Sequence, residues 1–119
     1  MKRSPPVRNK TLALKRGDVI IIDFDPQSGK EIMKRRPGLV ISPLEFNQKS
    51  NLVLICPITT KSRNSPWQVQ IPDGLQIEGF VNVDHLKSMD IYSRKAEKVD
   101  VAPLNLIEEV LSILEPLVT

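Results

Sequence analysis

Residues 16–26, R-G-D-V-I-I-I-D-F-D-P, decide the fold of this chain. Within them, residues 19–24 form a nearly continuous apolar and β-branched run that ends at a D-P turn, a pattern typical of a buried strand. Two similar runs follow at residues 38–41 and 52–58. The three runs predict a core of short apolar strands with polar groups at their ends.

Shorter strands follow these three along the chain. The alternation W-Q-V-Q-I in residues 67–71 predicts a strand with one buried and one exposed face. Further strands are predicted at residues 79–83, 86–91 and 96–101, whereas the polar residues 47–51 are interpreted as a turn.

A helix is predicted at the C-terminal end. From Pro103 the apolar residues recur at helical spacing, and Pro116 predicts where the helix ends. The predicted apolar stripe comprises Leu104, Ile107, Val110, Leu111 and Leu114. Strands in succession closed by one helix favour a mainly β fold, arranged as a small antiparallel barrel or half-barrel.

The length and the cysteine count limit the class of protein. A chain of 119 residues builds one hydrophobic core and is too short for two, so residues 15–119 are interpreted as a single domain. Residues 1–14, with two prolines and scattered cations, are interpreted as a flexible basic arm, a solvated tail whose alternative is an arm that contacts phosphates. Cys56 is the one cysteine, so no internal disulfide can form and we expect a reducing compartment, by default the cytoplasm. No apolar run suffices for a signal peptide or a membrane span, and we expect neither export nor insertion.

The net charge of +3 is unevenly distributed along the chain. Six of the 17 basic residues precede Gly17 and all 14 acidic residues follow it, which leaves the body of the chain at −3. Net charge therefore gives little support for nucleic-acid binding by the folded part, and local clusters decide the question. The clustered basic residues are Lys30, Lys34, Arg35 and Arg36 in one loop and Lys61 and Arg63 in another.

Arg36 is the first candidate for phosphate chemistry. A carboxylate, paired guanidinium groups and a threonine pair at the ends of the apolar strands suit phosphodiester chemistry. Cleavage of an RNA phosphodiester requires a base for the 2′-hydroxyl, a cation on the phosphate oxygens and an acid for the departing 5′-oxygen. An arginine guanidinium supplies the cation because its planar fork fits phosphate, and Arg36 lies beside the rigid ring of Pro37. Adjacent residues of an extended chain point to opposite faces, so only one of Arg35 and Arg36 should aim at a phosphate, and the position next to Pro37 favours Arg36.

Two further polar residues are candidates with ordinary alternatives. Thr59 follows the third apolar run, where its hydroxyl is able to donate to a phosphate or hold the 2′-hydroxyl, although threonine is also common in strands and Thr60 suits a turn. Glu31 is a candidate base, and a surface ion pair with a neighbouring lysine or arginine is its alternative.

Other kinds of site receive little support from the sequence. His85 is the single histidine and is interpreted as a hydrogen-bonded structural residue, and Cys56 as a buried small hydrophobic residue. No cluster of histidine, cysteine and carboxylate residues has transition-metal spacing, and no glycine-rich nucleotide motif is present, so we expect no cofactor.

The order of the motifs resembles that of the MazF/PemK family of toxin endoribonucleases. The resemblance covers residues from about 15 to about 117. It rests on D-F-D-P at 23–26, G-K-E at 29–31, R-P at 36–37, T-T at 59–60, W-Q-V at 67–69, the segment 79–88 ending in D-H-L-K-S, and the helix from Pro103. The individual motifs are weak signals, whereas their order and spacing over about a hundred residues are specific.

The resemblance implies a fold, an activity and partners. The fold is the PemK/CcdB-like toxin fold, a small SH3-like antiparallel β-barrel with a C-terminal α-helix. The activity is ribosome-independent and metal-independent cleavage of single-stranded RNA at a short sequence, giving a 2′,3′-cyclic phosphate and a 5′-hydroxyl. The partners are a second copy of the chain and a small MazE-like antitoxin whose acidic tail occupies the RNA groove.

The resemblance also assigns roles to residues. Arg36 and Thr59 are the expected catalytic residues, with Glu31 assisting. The expected RNA-binding residues are Lys30, Lys34, Arg35, Thr60, Lys61, Asp84 and Lys87.

Two other classes of protein are alternatives. A CcdB-like gyrase poison would share the fold without catalysis, but that group depends on a tryptophan near its C-terminus and this chain has its one tryptophan at position 67. An SH3-like adaptor would need an aromatic groove for peptides, and five scattered aromatic residues do not provide one.

Overall fold

The computed structural model describes residues 13–24 and 35–119 of the chain, which form seven β-strands and two α-helices. A short 3-10 turn, Val83–His85, joins the fifth strand to the sixth. The strands are β1 (Asp18–Asp23), β2 (Arg35–Val40), β3 (Leu52–Thr59), β4 (Gln68–Gln70), β5 (Phe80–Asn82), β6 (Lys87–Asp90) and β7 (Glu97–Val101), and the helices are α1 (Leu44–Ser50) and α2 (Leu104–Val118).

The strands form one antiparallel sheet in the order β4-β5-β3-β2-β1-β7, with β6 paired to β3. Strand β3 is central because β2 occupies one of its edges, while β6 pairs with the first half of the other edge and β5 with its end. No pairing between β4 and β7 closes the sheet within the described part of the chain. The mainly β fold with a C-terminal helix is confirmed, and closure into a barrel stays a prediction.

Apolar side chains fill both faces of the sheet. One cluster places Leu106, Val110 and Leu114 of α2 against sheet residues such as Cys56 and Val81. The second cluster lies on alternate residues of the strands and on three residues just outside them, and its members are Leu14, Ile20, Ile22, Phe24, Val40, Val53, Ile55, Met89 and Ile91. The near-continuous apolar runs therefore reflect strands that are buried on both sides.

The predicted strands are confirmed, with differences at their ends. Strand β2 begins at Arg35, three residues before its predicted start, because Arg35 pairs with Asp23 of β1. Helix α2 continues past Pro116 to Val118, since a proline in a last turn removes only one backbone hydrogen bond. The predicted stripe is rotated at its start, where Leu104 is 68% exposed and Leu106 is buried.

Helix α1 was not predicted from the sequence. Its residues are mostly polar, and residues 47–51 were interpreted as a turn. Asn47 is buried, and its side-chain amide donates to the carbonyl oxygens of Leu14 and Ser42 at 2.8 and 3.2 Å. The hydrogen bonds of a buried asparagine hold this helix in place, so its sequence has no apolar stripe from which the helix could be predicted. The helix ends at Asn51, whose backbone is left-handed with φ 61°.

Leu14, the last residue of the predicted arm, is 2% exposed and belongs to the second apolar cluster. Residues 1–12 lie outside the described residues, so the arm and the single-domain boundary stay predictions. Among the residues described, no helix combines the length and the hydropathy that crossing a membrane requires.

Candidate active site

A groove of about 280 Å³ opens at the ends of the central strands. We call it the Arg36 groove; its walls are Phe24, Arg36, Pro57, Ile58, Thr59, Asn82, His85 and Lys87. Strands β2, β3, β5 and β6 and the 3-10 turn contribute to it, and β1 ends beside it at Phe24. The groove therefore collects side chains that lie far apart in the sequence.

The strand register places Arg36 and Thr59 on the same side of the sheet. Gly38 pairs with Pro57 across β2 and β3, and the same antiparallel register continued by two residues sets Arg36 opposite Thr59. Cross-strand partners share a face, so the guanidinium and the hydroxyl both reach the groove. Among the described residues no ion pair engages Arg36.

Arg35 is placed elsewhere. Its guanidinium donates to Asp23 Oδ1 at 3.0 Å, and a second nitrogen lies 3.6 Å from Glu97 Oε1. Asp23 is 3% exposed, and the Arg35 side chain links this buried carboxylate of β1 to the exposed Glu97 of β7. The structure thus separates the two arginines, with Arg36 in the groove and Arg35 in an ion pair.

Lys87 and Phe24 form one wall of the groove. The Lys87 ammonium lies 5.9 Å from the centre of the Phe24 ring, within the range of a cation–π contact. Phe24 in turn packs over Gly38, where a Cβ would approach the Phe24 ring to 3.2 Å and overlap Ile55. The glycine of the R-P-G sequence therefore leaves room for the aromatic wall.

The end of β3 is fixed by contacts with the backbone. The Lys61 N–H donates to Thr59 Oγ1 at 3.2 Å, which leaves the hydroxyl hydrogen of Thr59 able to donate to a ligand. Gly79 has φ +126°, and a Cβ there would overlap the Thr59 carbonyl oxygen. The close approach of Gly79 therefore sets the position of Thr59.

A polar network ties the loop after β3 to β5. Gln68 Nε2 donates to Asn82 Oδ1 at 2.8 Å and to the Lys61 carbonyl oxygen at 3.1 Å. The Arg63 guanidinium donates to Asn82 Oδ1 at 3.1 Å and to Asp84 Oδ1 at 2.9 Å. The network holds Asn82, a groove residue, and Asp84, its neighbour on the 3-10 turn, in fixed positions.

His85, Asn82 and Phe24 belong to the groove although the sequence assigned them no role there. The interpretation of His85 as a hydrogen-bonded structural residue was wrong: its side chain is 51% exposed, and its Nε2 lies 4.0 Å from Asp84 Oδ2. The sequence feature that could have placed His85 in the groove is the D-H-L-K-S segment, in which the single histidine stands between two expected RNA-binding residues.

The remaining expected residues are distributed around the groove or lie outside the described residues. Thr60 lines a second, neighbouring pocket of about 340 Å³ whose other walls come from residues 70–75 and 78–80. Lys61 is exposed at the start of the following loop. Glu31, Lys30 and Lys34 fall in residues 25–34, which the structure does not describe.

Cys56 is buried in the first apolar cluster, as expected. Burial raises the pKa of its thiol from 9.0 to about 12, and the charge of Asp84 adds to the rise. A thiol with this pKa stays protonated at neutral pH and is not a nucleophile. Residues 13–24 and 35–119 contain no group of three or more histidine, cysteine or carboxylate side chains arranged to hold a metal.

Comparison with known proteins identifies the family. Residues 15–118 match the family of PemK-like, MazF-like toxins of type II toxin–antitoxin systems. This chain belongs to that family. The MazF endoribonuclease toxin of Escherichia coli K12 is 38% identical over 101 residues, which cover 82% of this chain and 90% of the relative. The ChpB endoribonuclease toxin of the same strain is 33% identical over 115 residues, covering 92% and 97%.

Solved structures of the family agree with the fold. A MazE–MazF crystal structure from Deinococcus radiodurans superposes with a TM-score of 0.82 at 35% identity, and the match covers 89% of this chain and 96% of that one. The PemK/MazF sheet and its C-terminal helix are therefore the scaffold on which the Arg36 groove is built.

Proposed function

We propose that this PemK/MazF-family protein is the toxin of a type II toxin–antitoxin pair and that it cleaves single-stranded RNA in the Arg36 groove. The family match and the relatives named as endoribonucleases support the toxin class and the enzyme class. The observation that carries the site is the placement of Arg36 and Thr59 in one groove from two adjacent strands.

The groove suits transfer of a phosphoryl group to the neighbouring 2′-hydroxyl. Arg36 binds the non-bridging phosphate oxygens and stabilises the charge that develops on them, because a guanidinium is always charged and forked. Thr59 donates its free hydroxyl hydrogen to the same phosphate. The bond to the 5′-oxygen then breaks, which gives a 2′,3′-cyclic phosphate and a 5′-hydroxyl. In this scheme the charge on the phosphate is stabilised without a metal ion. Glu31 remains the proposed assisting residue.

The RNA path extends from the groove on both sides. Lys87 lies over Phe24 in the groove itself, and Thr60 lines the neighbouring pocket, so a strand crossing from one to the other meets both. Lys61 and Asp84 flank this path, while Lys30, Lys34 and Arg35 are proposed contacts of its further part. Since Arg35 already pairs with Asp23, its contribution is the smallest of these.

The partners follow from the family. MazE–MazF complexes have been solved for a relative, and we infer that a MazE-like antitoxin also binds this protein. Its acidic tail and RNA are both polyanions, so the two compete for the basic groove. We also propose a homodimer in the cytoplasm, with the sheet curled into the small SH3-like barrel of the family. The gyrase-poison alternative lacks support, because the relatives described above are endoribonucleases.

Cleavage of a long RNA in the presence of EDTA tests the proposal. Wild type should cut at a fixed short motif and leave cyclic-phosphate ends, which sequencing of the ends would map. Arg36→Ala and Thr59→Ala should each lose at least about 100-fold in rate, the usual effect of removing one transition-state donor. Lys49→Ala, which removes an exposed lysine of α1 outside the groove, should cut like wild type.

Thr59→Ser gives a matched control for the hydroxyl and should keep most of the activity that Thr59→Ala loses. An Arg36→Ala protein that folds and cuts at the wild-type rate would overturn the site. RNA that stays intact with wild type would overturn the enzyme.

A further inference from the structure

His85 occupies a position in the groove that a structural histidine would not need. It ends the 3-10 turn Val83–His85, its side chain is 51% exposed, and it shares the groove with Arg36, Thr59 and Lys87. Burial does not explain the residue, and its Nε2 lies 4.0 Å from Asp84 Oδ2. The exposed imidazole is therefore available to a ligand.

The proposed reaction lacks a proton donor among the other groove residues. The departing 5′-oxygen must gain a proton, because an alkoxide is a poor leaving group. Arg36 holds its proton too tightly to give it up, and the hydroxyl of Thr59 is a very weak acid. Lysine ammonium groups in general are also weak acids at neutral pH. Imidazole is the side chain that gives up a proton readily in this range.

We propose that His85 is a catalytic residue and that its imidazolium donates the proton to the departing 5′-oxygen; the assignment rests on the proposed ribonuclease function. As the 2′-oxygen forms its bond to phosphorus, its proton passes to a water molecule. The phosphorus–O5′ bond breaks, and its electron pair stays on O5′, which takes the proton of the imidazolium. The product is a 5′-hydroxyl, and the neutral imidazole regains a proton from solvent.

The charged groups around His85 come from three elements. Asp84 Oδ2 lies 4.0 Å from the imidazole Nε2, and the same carboxylate group accepts a hydrogen bond from Arg63 at 2.9 Å. Arg36 from β2 and Lys87 from β6 line the same groove. The imidazole therefore shares the groove with the cations that are proposed to bind the phosphate, which places a proton donor beside the reacting group.

A substrate with sulfur in place of the bridging 5′-oxygen tests the role directly, since a thiolate leaves without protonation. The rates of wild type, His85→Gln and Arg36→Ala are measured on matched oxygen and 5′-sulfur oligonucleotides from pH 5 to pH 9. Glutamine keeps a polar side chain of similar length at this exposed site, and circular dichroism with thermal unfolding checks the fold.

The proposal expects His85→Gln to cut the oxygen substrate about 100-fold more slowly, within the usual range for general acid catalysis. The same variant should cut the sulfur substrate within a few-fold of wild type. On the oxygen substrate, a general acid makes the rate of wild type fall at high pH, and His85→Gln should not show this fall. Arg36→Ala should stay impaired on both substrates, because it acts on the phosphate oxygens.

Two results would overturn the assignment while leaving the ribonuclease intact. One is wild-type activity of His85→Gln on the oxygen substrate, and the other is an equal loss on both substrates, which would indicate a base or a structural role. If wild type cuts neither substrate, the proposed function fails, and the assignment of His85 fails with it.

Discussion

Arg35 and Arg36 are adjacent in the sequence but have different partners. The pleat of β2 turns Arg35 toward the buried Asp23 and Arg36 toward the groove. Alternation predicted that only one of the two would face a phosphate, and the structure separates them in that way. The sequence could not show that the other has a buried carboxylate as its partner, because Asp23 pairs with Arg35 only through the β1–β2 register.

The separation predicts opposite phenotypes for the two alanine variants. Arg35→Ala should lower the free energy of unfolding by about 1–3 kcal/mol, since it leaves Asp23 buried without its ion pair, and the value is reduced because Arg35 is 39% exposed. Arg36→Ala should change stability by less than about 0.5 kcal/mol, as surface substitutions usually do, and should abolish cleavage. Urea denaturation and RNA cleavage of both variants measure the two effects, and a reversal of the pattern would contradict the assignment.

Cys56 predicts a change of stability at high pH. Burial raises the pKa of its thiol to about 12 in the folded protein, while the unfolded thiol titrates near its ordinary value of 9.0. The stabilisation from the neutral thiol is complete below about pH 9 and is lost as the pH rises toward 12. The free energy of unfolding in urea should therefore fall more steeply above pH 9 for wild type than for Cys56→Ala. An equal dependence of the unfolding free energy on pH in the two proteins would contradict the raised pKa of the Cys56 thiol.

At the scale of elements, strands were easier to predict than their ends or the short helix. Continuous apolar runs identify β1 and β3 because both faces of these strands are buried. Helix α1 depends on the hydrogen bonds of the buried Asn47, and the sequence shows Asn47 only as one more polar residue. Local pattern predicts an element when apolar burial forms it, and fails when a single polar contact does.

Alanine variants of Gly79 and Gly74 form a matched pair that tests whether the close approach of Gly79 positions the end of β3. Both have positive φ, +126° and +107°, but a Cβ at Gly79 would overlap the Thr59 carbonyl oxygen, whereas nothing lies within 4 Å at Gly74. Gly74→Ala should cost about 1–2 kcal/mol from its backbone conformation alone. Gly79→Ala should cost at least about 1 kcal/mol more and should slow cleavage by displacing Thr59. Thermal unfolding and cleavage assays of both variants would show this difference, and equal losses in the two would argue against the close approach.

At the scale of the whole molecule, the antiparallel sheet explains why the site could be predicted only in part. The resemblance to the MazF/PemK family implied Arg36 and Thr59 as site residues, and the pairing of β2 with β3 brings the two together. His85 and Asn82 reach the groove because β5 and β6 share one edge of β3. Arg63 reaches Asp84 across 21 residues of sequence, through a loop folded back onto the sheet. Such contacts depend on the complete fold, and no local pattern contains them.

The charge distribution of the whole chain predicts where the affinity for RNA resides. The net charge of +3 comes from the N-terminal cations, and removing residues 1–12 would delete four of them, Lys2, Arg3, Arg8 and Lys10. If this segment is a solvated arm, its removal should leave the dependence of RNA affinity on salt nearly unchanged. Lys87→Ala removes one groove cation and should lower the slope of log affinity against log salt by about 0.7, the value for one phosphate of a single strand.

Titrations with an RNA that carries a 2′-deoxy sugar at the cleavage site measure these slopes without turnover. Lys49→Ala is the matched control, since it deletes one positive charge outside the groove and should leave the slope unchanged. A truncated protein that loses more slope than Lys87→Ala would show that the arm contacts phosphates. That result would move the main source of affinity from the groove to the N-terminus, because four cations acting together would outweigh the single lysine held over Phe24.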